Sequence, residues 1–99
     1  MDTARFWVAR SLRVPGLGLL LLPAAPLPPW LLTQPLHTAL RLRLHRPGHP
    51  PQALPATLEE LHHDSQAPTR AVLLDADPAG VLGPDAWLEL LEIPAAELL

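Results

Sequence analysis

The sequence contains no cysteine, lysine, asparagine or tyrosine. Without Cys there can be no disulfide, no thiolate metal ligand and no Cys nucleophile. Without Lys the phosphate-binding loop Gly-x-x-x-x-Gly-Lys-Ser/Thr is excluded. Ser11 and Ser65 are the only serines, and neither lies in a Gly-x-Ser-x-Gly elbow. Aromatic residues are scarce: Phe6, Trp7, Trp30 and Trp87 are the whole set, so a core must be built mainly from Leu, Val and Ala. Long apolar runs are missing too. A spanning helix needs about 20 apolar residues in succession, and the prolines between Pro23 and Pro29 break the one Leu-rich stretch that approaches this.

What is present suits one domain with one core. The chain has 99 residues, 48% of them apolar, and 14 prolines spread along its length. Each proline blocks or ends a helix. Only Leu54–His63 and the tail after Pro94 could hold a helical turn or more. Strand signals are better: short apolar or alternating runs bounded by Pro and Gly. Candidates lie near 4–14, 18–22, 38–45, 52–61, 70–75 and 87–93.

The clearest is Thr38–His45, where Leu40, Leu42 and Leu44 alternate with Arg41, Arg43 and His45, the pattern of one buried and one wet face. Gly18–Leu22 is continuous and apolar, as in a strand covered on both faces. Gln52–Leu61 is open between strand and helix. Pro55 places it at an edge or a bulge if it is a strand. Pro15-Gly16, Arg46-Pro47-Gly48, Asp77-Pro78-Ala79-Gly80 and Gly83-Pro84-Asp85 read as turns. No repeat or domain boundary is visible. Six strands at this spacing predict an all-β fold, a small closed or nearly closed barrel, since closure removes open edges.

Order and spacing also carry a resemblance. Arg10-Ser11-Leu12-Arg13-Val14-Pro15-Gly16-Leu17-Gly18 reads as a strand and a tight Gly-x-Gly turn, followed by the apolar strand Leu19–Leu22. The alternating strand Thr38–His45 comes next, then Ala53–Leu61, then Pro68–Leu74 ending in Val-Leu-Leu. A turn-rich stretch leads to the last strand, Trp87–Glu92. In this order the chain resembles the second domain of elongation factor Tu, the β-barrel shared by translational GTPases. The match spans about Phe6 to Ile93. The loop Pro23–Pro29 departs from the Gly-containing turn usual there, and the family's basic loop residues are not matched. The resemblance implies the barrel alone, since the GTP-binding loop is excluded.

Charge is uneven. Residues 1–50 hold six Arg and one acid, residues 51–99 one Arg and nine acids, for a net −3. Such a chain either presents a basic face or mixes its charges by interleaving strands from both halves. The mixed arrangement is the expectation.

Chemistry is sparse. His62-His63-Asp64 and His45-x-x-x-His49 hold ligand types, but a metal site needs three or four converging ligands. Neighbouring His62 and His63 on a strand point to opposite faces. No metal and no cofactor is expected. Glu59, Glu60, Asp75, Asp77, Asp85, Glu89 and Glu92 fall at turns and wet strand faces rather than in a cleft that could raise a carboxyl pKa. No enzymatic activity is expected.

Binding is the class that remains. Arg41 and Arg43, with His45 and Arg46, form a stripe that could meet RNA, or that could pair with Glu59 or Glu89 across a strand. Leu27-Pro28-Pro29-Trp30-Leu31-Leu32 is either an exposed docking surface anchored by Trp30 or a plug at one barrel end. The expectation is a cytoplasmic, non-enzymatic binding module for a protein partner, with RNA as the lesser possibility and Arg41, Arg43 and Trp30 as contacts. The alternative is an exported or membrane-associated protein. Arg5, Arg10 and Arg13, the Leu17–Leu22 run and Pro23-Ala24-Ala25 resemble a targeting segment.

Overall fold

The computed structural model describes residues 4–76, 78 and 82–94. In chain order the strands are β1 (Phe6–Val14), β2 (Gly18–Ala24), β3 (Ala39–Arg46), β4 (His49–His63), β5 (Gln66–Leu74) and β6 (Trp87–Glu92). One short helix, α1 (Pro29–Thr33), lies between β2 and β3. The strands form a closed barrel in the order β1-β2-β5-β4-β3-β6, with every neighbouring pair antiparallel. The chain is thus an all-β protein with six strands and a closed sheet, as its punctuation implies.

Alternation decides which side chains fill the barrel. Phe6 and Val8, Leu19 and Leu21, Leu40, Leu42 and Leu44, Leu54, Ala56 and Leu58, Val72 and Leu74, and Leu88 point inward and are buried. Among the described residues no polar or charged residue is buried, and no buried side-chain polar atom lacks a partner. The ambiguous stretch 52–61 is strand because Leu54, Ala56 and Leu58 keep period two. It is longer than expected, since the turn before it contains only Pro47 and Gly48. The tail after Pro94 lies outside the described residues, as does most of the turn expected at Asp77-Pro78-Ala79-Gly80.

The prolines occupy places where a strand can spare an N–H. Pro23 faces Val8 beside the register shift between Val8 and Arg10. Pro68 lies opposite the shift between Leu61 and His63. In β4, pairing with β5 begins only at Ala56, so residues before it have β3 on one side and an open edge on the other. The Pro55 carbonyl points to that open side, where it accepts a bond from the Asp75 N–H at 3.0 Å. Alternation gives Pro51 and Ala53 the same orientation. At Pro51 and Pro55 the edge therefore presents no donor, which blunts it against pairing with another chain.

The Leu27–Leu32 stretch resolves as the plug. Pro29 starts α1 at the position where a missing N–H costs nothing. A single turn is not stable by propensity; burial holds it. Trp30 and Leu31 enter the core, and the Trp30 ring stacks on Phe6 with centroids 6.1 Å apart. The Trp30 Nε1–H donates to the Ala4 carbonyl at 2.9 Å. From β5, Arg70 Nη1 donates to the Leu31 and Gln34 carbonyls at the end of the helix. β2 and β5 pair only from Leu19↔Leu74 to Leu21↔Val72. Arg70 lies just beyond that seam, and its bonds tie α1 to the barrel wall there.

The β1–β2 turn has Pro15 then Gly16 at φ +80°, closed by the Leu17 N–H to the Val14 carbonyl at 3.0 Å, the type II arrangement. Gly18 has φ +139°, and a Cβ there would stand 2.0 Å from the Leu74 carbonyl oxygen. Nothing lies within 4 Å of a Cβ on Gly16. Gly18→Ala is expected to cost at least about 3 kcal/mol, from φ strain plus a backbone clash. Gly16→Ala, strained in φ alone, should cost about 1 kcal/mol; urea unfolding of both variants measures the difference. Trp30→Ala should cost about 3–5 kcal/mol by the same measurement, as removal of a core aromatic.

Candidate functional site: the outer face of β3, β6 and β1

The wet face of β3 carries Arg41, Arg43 and His45, as alternation requires. Its neighbour is β6, in the register Arg41↔Glu92, Arg43↔Glu89 and His45↔Trp87. This basic strand is therefore set against an acidic one. Arg41 Nε lies 4.0 Å from Glu92 Oε1, and Arg43 Nη1 lies 3.4 Å from Glu89 Oε1. Both pairs are solvent-exposed. The basic stripe is not an uncompensated patch: the charges mix across the surface. Of the two expected partners Glu89 takes Arg43, whereas Glu59 turns to His37, whose Nδ1 is 3.0 Å away.

Glu89 is the centre of a larger cluster. Its Oε1 also meets His45 Nε2 at 2.8 Å. The His45 ring lies flat on Trp87, 5° from parallel with centroids 3.9 Å apart. On the other side of β6, Trp7 of β1 faces Trp87 in the ladder, with ring centroids 6.0 Å apart and a 39° tilt. The Arg5 guanidinium sits over the Trp87 ring, 3.9 Å from its centroid. Stacking of this kind contributes about 0.5–1.5 kcal/mol per aromatic pair and about 0.5–1 kcal/mol for an exposed cation over an indole.

Several clefts adjoin these elements, and three of them touch the cluster or the basic strand. One, of about 240 Å³, lies between Trp7, Trp87, His45 and the Pro47–His49 turn. A second, of about 340 Å³, is bounded by Ala4, Arg5, Trp30, Trp87, Glu89 and Leu90. The largest, of about 450 Å³, runs along the open edge of β4 beside Arg41, Asp75 and Glu92, with small apolar walls at Ala53, Pro55 and Ala56.

No family model, no curated protein and no solved structure matches this chain. The site must therefore be read from its own geometry.

Of the three residues expected to meet a partner, Arg41 and Arg43 share the outer face. Trp30 does not join them. It is 9% exposed, stacked on Phe6 and bonded to Ala4. Of the two readings of its stretch the plug is the one seen, since a large apolar ring beside an uncovered barrel end gains more by entering the core. Trp7 and Trp87 are the half-exposed aromatics instead. Trp87 could have been found from its position one residue before the inward Leu88. Its partners depend on the β3–β6 and β1–β6 register, which no local pattern encodes. His62 lies 3.1 Å from Glu60 on its own strand. Among the described residues no three potential metal ligands converge.

The hydrogen bond from His45 holds the Glu89 carboxyl below the ordinary glutamate pKa, helped by the positive charges of Arg43 and His45 and opposed by partial burial. A folded pKa below the unfolded one contributes stability that is fully present above the unfolded value. It is lost as pH falls through the folded one. In this exposed setting the contribution is small, about 0.5 kcal/mol or less. Wild type should exceed Glu89→Gln in stability at pH 7, and the gap should close toward pH 3, read as the difference between their thermal midpoints.

Proposed function

We propose that the chain is a non-enzymatic binding module that docks on a protein partner. Its barrel is read as the type that forms the second domain of elongation factor Tu, and these 99 residues carry no GTP-binding loop. The observation that carries the reading is where the polar chemistry lies. The described interior is wholly apolar, and every described titratable group sits on or near the surface. A general base or nucleophile gains its altered pKa from burial or an enclosed charge partner. Glu89, whose carboxyl is held below its ordinary value, belongs to a surface cluster rather than to an enclosed site.

The surface offered to a partner is the Trp7–Trp87 face. Trp beside Arg is a pairing enriched among the residues that dominate interface energetics. A protein partner is favoured over RNA because Arg41 and Arg43 are already matched by Glu92 and Glu89. A phosphate backbone would meet those carboxylates as well as the arginines. The translation-factor reading draws on the order of the strands, the Pro15-Gly16-Leu17-Gly18 turn and the closed six-stranded barrel.

The immobilised chain is expected to retain a specific protein from an extract of its native cells, and the purified partner to rebind it. Trp7→Ala should weaken that complex about tenfold or more. Arg41→Glu with Arg43→Glu should also weaken it if the partner spans β3. Absence of any retained protein at micromolar concentration, or retention of nucleic acid alone, overturns the reading.

A further inference from the structure

We propose that the cleft bounded by Arg5, Trp30, Trp87, Glu89 and Leu90 receives an arginine side chain of the partner polypeptide, which competes with Arg5 for the Trp87 ring. The proposal rests on the reading of the chain as a protein-binding module and names the chemistry it recognises.

Two observations point to a guanidinium. First, the indole of Trp87 already carries one: Arg5 Cζ is 3.9 Å from the ring centroid. Second, both partners of Glu89, His45 at 2.8 Å and Arg43 at 3.4 Å, meet the same oxygen, Oε1. Oε2 remains for a further donor. A guanidinium is planar and forked, so it can lie on an indole and donate to a carboxylate at once. An ammonium is a compact, strongly hydrated charge that fits this pairing less well.

The cleft suits such a side chain. Its volume is about 340 Å³, and Trp30 and Leu90 give it apolar walls for the methylene stem. Trp30 is fixed by its bond to the Ala4 carbonyl and by Phe6. Trp87 is fixed from β3 by the stacked His45 ring. The walls are therefore preformed. The net charge of −3 favours approach of a cationic segment. Arg5 precedes β1, outside the β1–β6 ladder pairs.

The test is a titration of the full chain with acetyl-Gly-Arg-Gly-amide and with the same peptide carrying lysine or citrulline. The readout is the Nε1–H NMR signals of the three tryptophans. The arginine peptide should move the Trp87 and Trp30 signals most, lysine should bind more weakly, and neutral citrulline should have no effect over the same range. Arg5→Ala removes the internal competitor and should tighten binding about two- to fivefold. Glu89→Gln should weaken it several-fold. Equal response to citrulline, unchanged affinity in Arg5→Ala, or no shift at millimolar peptide overturns the proposal. Arg5→Ala alone carries the test if Glu89→Gln fails to fold. A captured partner whose retention ignores both substitutions sinks the cleft and leaves the binding-module reading standing. Peptide binding with no protein partner retained sinks that reading instead.

Discussion

Strands β1 and β6 meet over only two ladder pairs, Phe6↔Leu88 and Trp7↔Trp87, and that short seam turns an open sheet into a barrel. Phe6 and Leu88 face inward and are fully buried, so the seam is part of the core. Trp7 and Trp87 lie on the outer face, where aromatic contact spans the same join. Just past it the Val8 N–H donates to the Ala86 carbonyl at 3.1 Å, which extends the seam by one bond. Without it β1 and β6 would each present unpaired backbone groups to solvent. The core would lose its wall beside Phe6.

The remaining openings are handled by other means. Beyond the short β2–β5 seam, α1 is tied in by Trp30, Leu31 and the Arg70 bonds to the helix end. Along the upper part of β4 the edge is left open but lacks donors at Pro51 and Pro55. A chain rich in proline can thus be mostly strand, because Pro23 and Pro68 stand beside register shifts and Pro55 on an open edge. The same placement rigidifies the unfolded chain and lowers its entropy.

Charge follows topology in the same way. The sequence separates basic and acidic residues into halves, yet the barrel order brings β3 beside β6. Arg41 and Arg43 meet Glu92 and Glu89, and the outer face becomes a lattice of pairs about one stacked Trp–His unit. Such surface pairs contribute little to stability. They orient Trp87 and Glu89, so their value lies in the shape and charge of the face rather than in holding the fold.

Much was legible from residue order alone. Strict alternation in β3 announced its buried and wet faces, and Pro-Gly pairs announced two of the hairpin turns. Pro55 pointed to an edge, and an edge is where it lies. The Leu27–Leu32 stretch was not resolved by pattern, because apolar residues next to prolines fit a surface patch and a plug equally well. Local sequence determined the strands, their inward faces and the absence of a phosphate loop, since these depend on neighbours within a few residues. Tertiary structure alone decided that Trp30 is core, that Trp7 and Trp87 form the half-buried pair on the outer face, and that Arg41 and Arg43 are matched by carboxylates. Each of those outcomes depends on which strand lies beside which, and that is set by closing one shared apolar interior.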